Sequence, residues 1–429
     1  MEKEYLLNAR ECLAFIEKSV SAFHAVENAK EMLRAGGFNA LREGEEWELC
    51  PGEGYYVERN DSSLIAFRVP EGEIRGFHII ASHSDSPCFK IKPKSQITVE
   101  DSYGKLNVEP YGGMIYATWL DRCLSVAGRI VYSDGGELKS RNVNVDEDLL
   151  VIPNVAIHMD REINKNLTYN PQVDLLPLLW AGKTQTDQED VLLKKTALAA
   201  GVDQERILGK DLFLYVRDSG KLAGASGELM ISPRLDDLEC VFASLKGFLG
   251  VRPEKYISVC AVFDNEEVGS LTRQGAASTF LEDTLAKAAA SLAGEKEMDR
   301  LLAESFMISA DNAHGVHPNH PEKADPLNRP YLNQGIVIKY HGGQKYTTDA
   351  WSEAVMKEIC RKTDVPWQTY SNRSDIAGGS TLGNISVGRV PVPSVDIGLP
   401  QLAMHSAVET AGTRDLTFLI EAAKVFYAE

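Results

Sequence analysis

The sequence predicts an α/β fold interrupted by a β-rich insert. Three features carry that expectation. Apolar runs rich in β-branched residues alternate with helical patterns, the runs end abruptly in polar clusters, and one long internal stretch breaks the alternation. The first twenty residues, "MEKEYLLNARECLAFIEKSV", have the periodicity of an amphipathic helix, with charges throughout and no uninterrupted apolar core of the kind a signal peptide needs. "GFHIIASHSDS" (76–86), "GELMISPRLDD" (227–237), "YISVCAVFDNEE" (256–267) and "SFMISADNAH" (305–314) read as buried strands that hand His, Asp or Glu to the following loop. Helical patterns occupy 236–250, 283–294 and 348–363. From 94 to 233, short alternating segments separated by Gly-rich turns ("GRIVYSDGGELKSRNVNV") signal hairpins, so this stretch is expected as an insert between 1–93 and 234–429. In an open α/β sheet, ligands bind beyond the carboxyl ends of the strands, which is where the polar clusters fall.

Composition narrows the function classes. With 429 residues, 44% apolar and 25% charged, the chain is a globular protein with room for two or three domains. Its net charge of −17 argues against nucleic-acid or anionic-membrane partners. No stretch is long and apolar enough for a membrane span. Seven scattered cysteines without a Cys-x-x-Cys pair indicate neither a disulfide framework nor a thiolate zinc site, and they suit a reducing, cytoplasmic setting.

The polar clusters form a constellation. "ASHSDSP" places His83 and Asp85 two apart on a strand, on one face; "SPRLDDLEC" offers Asp236 and Asp237; "FDNEEVGS" offers Glu266 and Glu267; "SADNAH" offers Asp311 and His314; "LAMHSAVETAG" offers His405. Taken singly, each has an ordinary explanation: helix capping for the aspartate pair, an Asx-turn for Asp311, a packed core histidine for His405. Together, two histidines and three carboxylates at strand ends form a donor set suited to divalent zinc. With Asp236 bridging, His83 and Asp311 could complete one metal site while Glu267 and His405 complete another. Glu266 then stands beside the metals as a general base, and the cations explain why two adjacent glutamates tolerate each other. A metal pair that activates water and holds a free α-amine points to an aminopeptidase.

These residues resemble the aspartyl aminopeptidase family of co-catalytic zinc metallopeptidases, in its bacterial form. The likeness runs through "SAFHAVENAKEMLRAGGFNAL" (21–41), "HSDSPCFKIKP" (83–93), "VEPYGGMIYATWLDRCLSVAGRI" (108–130), "IPNVAIHMDR" (152–161), "SADNAHGVHPNHPEK" (309–323) and "VDIGLPQLAMHSAVETAG" (395–412). The resemblance implies a zinc-peptidase-like mixed sheet flanked by helices, with the insert serving as a dimerisation domain. It implies two divalent ions per subunit, zinc with cobalt or manganese as substitutes. His83, Asp236, Glu267, Asp311 and His405 match the family's metal ligands, Glu266 its general base, and Asp85 the acid that orients the first histidine. His158, His314, Lys339 and Tyr346 match residues that hold the substrate, His158 reaching into a neighbouring subunit. Peptides with a free N-terminus are the implied substrates, acidic N-terminal residues the implied preference, and a tetrahedral dodecamer the implied assembly.

Three other readings compete. A relative within the family could prefer neutral residues, because "KYHGGQKYTTD" departs from the animal enzymes with strict acidic preference. A co-catalytic zinc deacylase would use the same chemistry without requiring a free amine. A catalytically idle shell protein would have no use for Glu266. The Gly-rich "SNRSDIAGGSTLGNI" (371–385) lacks the Gly-Lys-Ser/Thr ending of a phosphate loop and is expected to line the substrate pocket instead.

Overall fold

The computed structural model describes residues 2–165, 168–182 and 190–429. The fold is mixed α/β, as the alternating pattern predicts. Two compact units emerge: Met1–Asp85 with Gly220–Met404 and Glu409–Glu429, and Ser86–Ser219 with His405–Val408. The sequence placed the junctions at 93/94 and 233/234, whereas they fall at Asp85/Ser86 and Ser219/Gly220. Pairing explains the difference. The strand Cys88–Val99 already belongs to the second unit's sheet, and Lys221–Ala223 already pairs with Leu229–Ser232 in the first unit.

The first unit is built on a nine-stranded sheet whose centre holds four parallel strands side by side: Tyr256–Phe263, Gly76–His83, Phe306–Ala310 and Ser394–Gly398. All four are buried along both faces, so their sequences read as continuous apolar runs rather than clean alternation. Alternate residues nonetheless sort onto two layers. Ile80, Cys260, Val262, Ile308 and Ile397 face the helices Leu235–Leu249 and Thr413–Ala428, while Ile79, Ala81, Val259, Ala261 and Met307 face Phe280–Leu292. The helix Ala350–Thr363 begins with a reciprocal capping box. Asp349 accepts from the Ser352 amide at 2.8 Å and Ser352 Oγ accepts from the Asp349 amide at 2.9 Å.

The second unit carries a six-stranded sheet in which every recorded pairing is antiparallel. The hairpin Leu124–Asp134/Glu137–Asn144 turns through Gly135 and Gly136, both at positive φ (62° and 92°), which is why "DGG" stands there. Its core alternates along the strands through Phe89, Ile91, Val126, Ile130, Leu212 and Leu214.

At the starting ends of the central strands, His78 lies between two parallel rings, Tyr256 at 3.8 Å and Phe426 at 4.4 Å. Burial pushes its pKa down to about 4, opposed by its hydrogen bond to the Phe426 carbonyl and by Glu429, while Lys362 adds to the drop. The unfolded chain therefore binds more protons than the native one between about pH 6.5 and 4. Stability is complete above that window and falls through it on acidification, by on the order of 3 kcal/mol from this residue. Half-buried His24, also pushed down to about 4 by desolvation, adds a second step. His78→Phe keeps the ring stack, and urea titrations from pH 7 to 4 are expected to show a shallower pH slope. An unchanged slope would remove His78 from the account.

Candidate metal centre

Three adjacent parallel strands end at one place. Phe263 pairs in register with His83, and Ala81 with Ser309, so the residues just beyond these strands converge. His83 ends its own strand and Asp85 follows it. Asp311 follows Ala310, and Glu266 and Glu267 follow Phe263 in a short 3-10 turn, Glu266–Val268. Asn265 makes that turn possible. It takes φ 63°, a conformation Asn tolerates, and its side-chain oxygen accepts from Thr272 Oγ1 (2.8 Å) and Gln274 Nε2 (2.7 Å). Asp236 and Asp237 enter from the start of the helix Leu235–Leu249, whose first residues depart from helical dihedrals.

The donor atoms cluster tightly. Atoms of His83, Asp236 and Asp311 lie within 4.8 Å of one another, as do those of His83, Glu266 and Glu267. His83 Nε2 is 3.5 Å from Asp236 Oδ1 and 3.9 Å from Asp311 Oδ1. Its other nitrogen, Nδ1, sits 3.0 Å from the Asp85 carbonyl, an acceptor that holds the proton on Nδ1 and leaves Nε2 as the lone-pair donor. The Asp85 carboxylate lies farther from that nitrogen, at 3.5 Å. It also accepts from the amides of Glu266 (3.1 Å) and Glu267 (3.2 Å). Asp85 thus orients the histidine through its backbone and pins the glutamate pair through its side chain.

The electrostatics call for a cation. Burial pushes Glu266 up to about 8, with His83 opposing and Asp311, Asp85 and Asp236 adding to the rise. Burial, and then Asp236, holds Glu267 well above the carboxylate range. Burial raises Asp237 as well, with His83 opposing and Asp311 and Asp236 adding. His83 is raised despite its burial, by hydrogen bonding to Asp236, Asp311 and Asp85. Carboxylates crowded this closely are relieved by protonation or by positive charge among them. An imidazole nitrogen amid carboxylate oxygens is a donor set zinc accepts. The residues present fit the metal.

Lys339 supplies part of the positive charge. It is 3% exposed, donates to the Asn312 carbonyl at 2.7 Å, lies 3.9 Å from Asp311 Oδ2 and sits over the Tyr346 ring at 5.6 Å. Burial opposes its charge, yet Asp311, Tyr346 and Asp396 hold its pKa above the ordinary lysine value. Strand alternation places it as the sequence indicates: Val337 joins Tyr346 and Tyr370, while Ile336 and Ile338 face the opposite core. Gly398 makes room, because a Cβ there would stand 2.9 Å from Lys339 Cε and 2.0 Å from the Asp311 carbonyl oxygen. His314 is exposed on the two-residue strand Ala313–His314, edge-on to Tyr370 at 5.9 Å.

His405 and His158 fall in the second unit. His405 takes φ 64° and its carbonyl accepts from Ile115 at 2.9 Å. His158 is exposed in the turn after Ala156. Sequence reading missed three supports: Asn312, whose amide donates to buried Glu239 at 3.1 Å; Glu239 itself; and Glu409, which accepts from the Asp236 amide at 3.0 Å. Only their nearness in sequence to candidate ligands hinted at them.

The profile of a family described as aminopeptidase I zinc metalloprotease (M18) matches residues 15–427. The chain belongs to the M18 family. A probable M18 family aminopeptidase 2 from Clostridium acetobutylicum is 46% identical over 430 residues, 99% of each chain. Among solved structures, the cryo-EM structure of the Ape4 and Nbr1 complex gives a TM-score of 0.96 at 33% identity, covering 100% of this chain and 86% of that one. The S. cerevisiae mApe1 dodecamer gives 0.85 at 27%, covering 98% and 96%. As an M18 protein the chain is a zinc metallo-aminopeptidase, a hydrolase. No described helix is long and apolar enough to cross a membrane.

Proposed function

We propose that this M18 aminopeptidase removes acidic N-terminal residues from peptides, with Glu266 as general base and two zinc ions held by His83, Asp236, Glu267, Asp311 and His405. The convergence of His83, Asp236, Asp311, Glu266 and Glu267 beyond three adjacent strands carries the reading. When bound, zinc lowers the pKa of water, polarises the scissile carbonyl and holds the free α-amine. Glu266 takes the attacking water's proton and passes it to the leaving amine, the ordinary task of a positioned carboxylate. Asp85 keeps the Glu266–Glu267 turn fixed while the proton moves.

Lys339 is the determinant of the acidic preference in this reading. An ammonium has three N–H donors; the Asn312 carbonyl takes one, and the rest can meet a substrate carboxylate, with Tyr346 and His314 bordering the same region. Its closeness to Asp311 favours a second reading, in which the lysine is committed to the centre and neutral residues are preferred. The insert serves as the dimerisation domain, and its His158 loop supports that role by exposing Val155, Ile157 and Met159 (53%, 47% and 81%). Dimers assemble into a dodecamer of cytoplasmic subunits, with His158 serving a neighbour's site.

A panel of N-terminal aminoacyl anilides, run on the zinc-loaded protein, tests these assignments together. Lys339→Ala is expected to erode the Asp/Glu preference about 10- to 100-fold in kcat/KM, the range of a charge-assisted hydrogen bond. His158→Ala is expected to lower the rate on every substrate. A wild-type preference for leucine that Lys339→Ala leaves intact would establish the second reading.

A further inference from the structure

A cavity of about 520 Å³ opens at the starting ends of the central strands, the end remote from Glu266. His78 and His83 are five residues apart on one strand, so the two ends are separated by about 16 Å. The volume lies within the range of small-molecule sites. His78 lines it and is only 6% exposed. Tyr256 and Phe426 cover both faces of the imidazole, and Nδ1 donates to the Phe426 carbonyl at 2.8 Å. Only the Nε2 edge is left to face the cavity. The ring is neutral at pH 7, so Nε2 offers a lone pair, and no donor among the described residues reaches it.

The rest of the lining is acidic on balance. One face of the helix Ala350–Thr363 presents Trp351, Val355, Glu358 and Lys362 at successive turns. Trp351 is 71% exposed, a broad aromatic surface left uncovered. Glu304, Glu358 and Glu429 give three carboxylates, opposed by the Lys362 ammonium, which pairs with Glu429, and by the Arg361 guanidinium, 3.6 Å from Glu358. An acceptor nitrogen, an open indole face and surplus carboxylate suit a ligand with N–H donors, positive charge and a hydrocarbon body.

We propose that this cavity binds a small aliphatic polyamine. One ammonium donates to His78 Nε2, the methylenes lie along Val355 and Trp351, and the remaining ammonium groups meet Glu304 and Glu358. Ammonium groups joined by methylenes can meet the acids and the apolar side chains of this lining together, which a compact inorganic cation cannot.

Calorimetric titration of spermidine into the zinc-loaded full chain at about 0.15 M salt tests the proposal, with magnesium chloride as the charge-only control. One saturable site per chain is expected. It should be weakened about 10-fold by Trp351→Ala, and comparably by Glu304→Gln with Glu358→Gln. His78→Phe, which keeps the stack but removes the lone pair, should weaken it as well. Trp351, Glu304 and Glu358 are exposed, so those variants report even if His78→Phe disturbs the fold. No saturable heat, equal binding in all variants, or full displacement by equimolar magnesium would overturn it.

Discussion

Glu266→Gln is expected to lower kcat by about 10²–10⁴-fold while zinc content stays at the wild-type level. The amide is nearly isosteric and can still occupy the turn whose backbone Asp85 holds, so the change removes proton transfer and little else. The measurement pairs anilide turnover with metal analysis on the same preparation. Glu266 also stands within 4.8 Å of His83 and Glu267 donor atoms, a distance at which it could ligate. Zinc lost in step with activity would therefore make Glu266 a ligand rather than the base, and an unchanged kcat would remove it from the chemistry.

Zinc removal should have the largest effect on the whole molecule. Dialysis against a strong chelator is expected to abolish turnover and lower Tm by roughly 5–10 °C, with both restored by added zinc. The reasoning is linkage: a ligand at a thousandfold excess over its Kd adds about 4 kcal/mol to the native state. In a chain of this length each kcal/mol moves Tm by about 2 °C. Without the ion, His83 and Lys339 are the cations left beside Asp85, Asp236, Asp237, Glu266, Glu267 and Asp311. A chelated protein that kept both its Tm and its rate would contradict a metal centre at these residues.

Much of this centre was legible before any coordinates. Strand runs ending in His, Asp or Glu state both the fold and the place where the donor side chains gather, because parallel strands buried on both faces show their apolar length and then stop. Asp85 shows what was not legible. Spacing says that it shares a face with His83, but not that its carboxylate would turn toward the amides of Glu266 and Glu267 while its carbonyl took the histidine. Lys339 is similar: alternation gives its face, whereas its hold on the Asn312 carbonyl depends on a contact 27 positions away. The unit junctions escaped for the same reason, since strand pairing rather than composition sets them.

The order in which these donors leave the ribosome has a consequence of its own. His83 emerges first, and the insert must be made before Asp236, Glu267 and Asp311 exist; Tyr256–Phe263 and Phe306–Ala310, the strands that flank its own, also follow the insert. A nascent chain therefore carries a single imidazole where the folded protein gathers His83 with Asp236, Asp311, Glu266 and Glu267.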